Sequence, residues 1–164
     1  MANNLTDLHD IISEMKTQWT SFRCIEGAPN FNGFYFGWPQ EVDDIHNKDL
    51  PLMIVNPPSS TISANDIDRE YGVQSSRYVV QVYQFMPSDA YGNQPEHIAN
   101  FWDQIENCFY VWLQNVLNTL GPNKVIMRDG TINITRTKEA SNDRLFMCQF
   151  EFNLSTYRTC LTLA

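Results

Sequence analysis

Between Pro95 and Gly121 the apolar residues Ile98, Phe101, Trp102, Ile105, Phe109, Trp112, Leu113, Val116 and Leu120 recur at three- and four-residue steps. That spacing is one stripe of a 3.6-residue helix, and a stripe this broad is stable only against another apolar surface. Pro95 suits a first helical position, Asn93 or Gln94 a cap, Glu96 the first turn, and Gly121-Pro122 a stop, which bounds the helix at 95–120. The chain beyond it supplies the surface. Phe146, Cys148, Phe150, Phe152 and Leu154 alternate with Gln149, Glu151, Asn153 and Ser155, a strand with one dry and one wet face. The dry face is expected to pack on the helix.

A second amphipathic helix opens the chain over residues 4–22, where Leu5, Leu8, Ile11, Ile12, Met15, Trp19 and Phe22 make one stripe. Thr6 or Asn4 can cap it, and Asp7 and Asp10 suit its positive end. Residues 23–90 are broken by glycines and prolines into short pieces. Strands are expected at Phe34–Phe36 and Leu52–Val55, a polar excursion at Pro57–Tyr71, and a central strand at Arg77–Met86 with both faces apolar. After the second helix, residues 124–157 read as a meander. Lys124–Arg128 and Thr131–Thr137 flank Asp129-Gly130 as a type I′ hairpin, and Glu139–Asp143 connects to the last strand. The expectation is one α+β domain over 1–164, with a mixed or mainly antiparallel sheet packed by two helices.

Charge and composition narrow the function. The net charge is −8 with eleven basic residues scattered singly. Counterion release at nucleic-acid phosphates needs clustered Lys and Arg, so direct DNA or RNA binding is not expected. No apolar run reaches the length of a membrane span, and the polar, acidic start of the chain is unlike a signal peptide. Synthesis in a cytoplasm is the expectation. Cys24, Cys108, Cys148 and Cys160 show no C-x-x-C spacing, and Cys108 and Cys148 fall on apolar faces as buried thiols. His9, His46 and His97 are far apart and do not converge on a metal. No nucleophile–base pair or carboxylate dyad stands out, so neither catalysis nor a cofactor is expected.

Three features remain for function. Phe31, Phe34, Tyr35, Phe36 and Trp38 form a dense aromatic segment, with Gly33 and Gly37 allowing a protruding hairpin; the set suits a protein anchor, a stacking platform or a short core strand. The outer face of helix 95–120 carries Asn107, Tyr110, Val111 and Gln114, and no Lys or Arg occurs between Tyr91 and Asn123. A face of amides and aromatics can pair across an interface without stranding a charge, or serve as an ordinary outer face. The loop after Phe36 holds the acids Glu41, Asp43, Asp44 and Asp49.

The succession of helix Leu5–Phe22, strand Pro51–Val55, strand Tyr78–Phe85, helix Pro95–Leu120 and meander Lys124–Tyr157 resembles the tail-completion fold of tailed bacteriophages. That is the family of tail terminator, neck and related ring proteins. The resemblance is architectural and spans most of the chain. It implies a virion structural protein at the neck or tail, assembled in the host cytoplasm as a homo-oligomeric ring, commonly sixfold, against neighbouring virion proteins. It also implies that contacts to neighbours come from the aromatic segment, from Ser59, Ser60, Ile62 and Asn65 in the mid-chain excursion, and from Glu139 and Asn142. The acids at 41, 43, 44 and 49 would face a lumen to which DNA does not adhere. The competing reading is a small ligand-binding or regulatory domain with an aromatic-lined pocket.

Overall fold

In the computed structural model, described over residues 8–21, 32–42, 51–62, 71–85, 95–122, 124–127, 130–138 and 145–159, the elements run α1 (Leu8–Thr20), β1 (Gly33–Phe36), β2 (Leu52–Val55), β3 (Ser59–Ile62), β4 (Tyr71–Phe85), α2 (Pro95–Leu120), β5 (Val125–Ile126), β6 (Asn133–Lys138) and β7 (Leu145–Thr159). A 3-10 turn spans Pro39–Glu41. The fold is α+β, with two helices and a mixed seven-stranded sheet.

β4 and β7 pair antiparallel from Tyr71↔Thr159 to Phe85↔Leu145, and the other strands attach to this ladder. β2 and β3 share the free side of β4, opposite Val80–Tyr83 and Gln74–Arg77 respectively. β6 and β5 share the free side of β7, opposite Phe146–Glu151 and Ser155–Thr156. β1 joins β2 in the one parallel pairing among the described strands. The registers compose into five-strand rows. Phe34, Met53, Val82, Cys148 and Arg136 lie in one, and Phe36, Val55, Val80, Phe150 and Ile134 in another.

These rows face the helices. Met15, Trp19, Ile105, Phe109, Trp112 and Val116 pack on Met53, Val80, Val82, Cys148, Phe150, Phe152 and Leu154 in one buried cluster. Phe109 stacks on Phe150 with centroids 3.7 Å apart and planes 2° from parallel. Trp19 meets Trp112 edge-on at 6.4 Å. Both indoles also tie layers together. Trp112 Nε1 donates to the Met15 carbonyl of α1 at 2.9 Å, and Trp19 Nε1 donates to the Gly33 carbonyl of β1 at 2.8 Å. On the opposite face Leu52, Ile54 and Tyr83 form a smaller cluster with Tyr35, Val42 and Met147. It continues as a polar ladder, with Gln81 donating to Gln149, Gln149 to Glu151, and Arg77 paired with Glu151.

α2 has the expected bounds, with Gly121 in the left-handed region at φ 83° and its N–H on the Leu117 carbonyl. α1 runs from Leu8 to Thr20 and buries Ile11, Met15 and Trp19 of the expected stripe, while Leu8 is exposed; Leu5 and Phe22 lie outside the described residues. Five expectations are corrected. The segment at Phe34–Phe36 is not half of a hairpin but an edge strand parallel to β2. Ser59–Ile62 is a strand rather than a loop, and β4 begins at Tyr71 rather than Arg77. Both stretches are small and polar, and pairing with neighbouring strands, not their own propensity, makes them extended. β5 and β6 do not pair with each other; β7 is long enough to take them side by side. Cys108 is disulfide-bonded, with its partner outside the described residues, whereas Cys148 is a free, buried thiol. An apolar position on a helical stripe signals that Cys108 is buried but not whether it is bonded.

Phe109→Ala removes the ring stacked on Phe150 and is expected to lower stability by about 3–5 kcal/mol in urea unfolding. A loss below about 1 kcal/mol would contradict this account of the core.

Candidate functional site

The aromatic segment divides by strand alternation. Phe34 turns to the main core and Tyr35 to the smaller cluster, while Phe36 and Trp38 stay in solvent, Trp38 at 50% exposure. A carboxylate fixes this end of the sheet. Glu41 Oε2 accepts from the Trp38 backbone N–H at 3.0 Å and from the Tyr35 hydroxyl at 3.1 Å. Partial desolvation, then the bond to Glu41 and its charge, raise the Tyr35 phenol above its usual pKa. Gly37 between them has φ 156°, and a Cβ there would collide with Glu41 Oε2 and meet the Tyr35 ring at 2.6 Å. The glycine therefore leaves the space in which the carboxylate sits. Glu41, expected as a lumen acid, anchors the backbone of an exposed tryptophan.

On α2 the residues Asn107, Tyr110, Val111 and Gln114 are exposed, as the period requires. Tyr110 and Val111 are large apolar groups left 44% and 49% open, held by a helix whose other face is core. β3 carries Ser59, Ser60 and Ile62, all exposed; Ser60 shares a hydroxyl hydrogen bond with Ser76 at 2.8 Å. The exposed groups thus fall in three places: the end of β1, the outer face of α2 and β3. Phe31, Asp43, Asp44, Asp49, Asn65, Glu139 and Asn142 lie outside the described residues.

One feature was missed by sequence reasoning. Arg136 of β6 forms an ion pair with Glu106 of α2, beside the buried Cys148. Glu106 falls between core positions of the helical stripe, and nothing local in the sequence points to its strand partner. Burial, reinforced by the Glu106 carboxylate and opposed by the Arg136 guanidinium, pushes the Cys148 thiol up to about 12.

Among the described residues, shallow depressions are found on the sheet and beside α1. One of about 100 Å³ lies over Arg77, Asn133 and Glu151, and one of about 90 Å³ lies between Leu8 and Ile11 of α1 and Ser60, Gln74 and Tyr78 of the sheet. Pockets for drug-sized molecules run to roughly 300–1,000 Å³. No helix among the described residues is long and apolar enough to cross a membrane. No protein-family model matches the chain, and no curated protein matches it.

Gly37→Ala should displace the Glu41 carboxylate and cost about 1–3 kcal/mol. Because the Glu41 carboxylate is one of the two groups the methyl would meet, with the Tyr35 ring, the cost should shrink in part in a Glu41→Ala background. An undiminished cost would show that the carboxylate is not what the methyl group meets. The Cys148 thiol keeps its proton in the folded protein, so its contribution to stability is intact below about pH 9 and falls as pH rises towards 12. At pH 8 iodoacetamide should leave Cys148 unmodified until urea unfolds the chain. Peptide mapping that finds equal labelling in native and unfolded protein would contradict this.

Proposed function

We propose that this chain is a structural subunit that works through protein–protein contacts and assembles with copies of itself into a ring at the neck or tail of a bacteriophage particle. The observation that carries the reading is the set of large apolar side chains held in solvent by rigid elements. The Trp38 backbone N–H donates to the Glu41 carboxylate, Phe36 ends an ordered strand, and Tyr110 and Val111 stand on a helix buried along its other face. Rigid exposed aromatics lose little conformational freedom on burial and commonly anchor interfaces. The order of elements, from helix through strands and helix to a terminal sheet, agrees with the architecture on which the phage resemblance rests. A ligand-binding reading has less support, because Phe36 and Trp38 are exposed rather than lining a concavity and the two depressions are small. Acidic balance adds to the phage reading: a wall of net negative charge does not retain DNA passing along it.

Native mass spectrometry over a concentration series, with negative-stain imaging of large species, tests the reading. A closed oligomer of one discrete subunit number is expected. A monomer at every concentration would contradict self-assembly.

A further inference from the structure

The sheet ends in two open strands that complement each other. In the rows that run from β1 to β6, hydrogen-bonding direction alternates along each strand. Gly33 and Gly37 donate to the carbonyls of Pro51 and Val55, and Asn56 donates to that of Val79. Carrying this alternation through the registers of β2, β4 and β7 turns the backbone groups of Phe34 and Phe36 outward at one end. The same count turns those of Ile134, Arg136 and Lys138 outward at the other. No described strand meets either set. Four of these five outward residues lie in the same two rows, Phe34 with Arg136 and Phe36 with Ile134. β1 runs parallel to β2, and three antiparallel steps then lead to β6, so β1 and β6 point in opposite directions. A second copy set beside the first in the same orientation would therefore bring its β1 antiparallel to β6.

Charge selects this pairing over its alternatives. β6 carries Arg136, whose side chain is 46% exposed even when paired with Glu106, and Lys138; β1 leads into a turn holding Glu41. β6 against a second β6 would set like charges together, and so would β1 against β1 beside two Glu41 carboxylates. β1 against β6 joins opposite signs. We propose that copies of this chain join head to tail, with the β1 edge of one continuing the sheet of the next at β6, a heterologous contact that closes when its rotation does. This rests on the assembly reading and names the surfaces that carry it.

The test blocks each edge separately. Phe36→Pro removes an outward N–H at a residue with an exposed side chain, and Lys138→Pro removes one from β6; circular dichroism and melting temperature confirm that each variant folds. If Lys138→Pro does not fold, Lys138→Glu replaces it. In native mass spectrometry each variant alone is expected to stay monomeric where the unaltered chain assembles. An equimolar mixture should give one-to-one pairs that grow no further, because only one good edge of each variant remains. Variants that assemble like the unaltered chain would overturn the edge pairing and leave the assembly reading standing. An unaltered chain that stays monomeric would overturn both.

Discussion

The antiparallel ladder between β4 and β7 holds everything else in place. Fifteen residues of each strand pair without a break, and each strand offers its outer side to two shorter ones. Long-range pairing of this kind must close the chain between Phe85 and Leu145 before it is stabilised, and α2 lies in that interval. Phe109 on Phe150 is where the helix and the ladder meet most closely. Two indole hydrogen bonds then carry order outwards, from Trp112 to α1 and from Trp19 to β1. The geometry of the sheet edge at β1 therefore depends on a core two layers away.

Much of this was legible in the sequence because burial has a period. The stripes at Ile11–Trp19 and Phe101–Val116, and the alternation from Phe146 to Leu154, each match the faces that the structure buries, whereas Leu8 at the start of the first stripe is exposed. Turn chemistry was legible too, with Gly121 ending α2 in the left-handed region. Pairing was not. Ser59–Ile62 and Tyr71–Ser76 have the composition of a loop, and they are strands because each finds a neighbour. Asp129-Gly130 looks like a hairpin turn, yet β5 and β6 both prefer the long free side of β7. Residue type records which face is dry, but which strand lies alongside depends on contacts remote in sequence.

The candidate site shows the same division. The exposure of Tyr110, Val111 and Gln114 follows from helical period alone. The aromatic segment was visible as a cluster, but its split into core-facing Phe34, second-face Tyr35 and exposed Phe36 and Trp38 required the strand to be placed. Glu41 read as one of several loop acids, whereas its carboxylate organises the turn through Tyr35 and Trp38. The pairing of Glu106 with Arg136 had no local signature at all.

Residue-resolved hydrogen exchange, compared between dilute monomer and concentrated assembly, tests most directly the claim that open sheet edges join the copies. Amides of the β4–β7 ladder should exchange slowly in both states. Those of Phe36, Arg136 and Lys138 should slow only on assembly. Slowing confined to the outer face of α2, with both edges still exchanging freely in the assembled state, would contradict the claim.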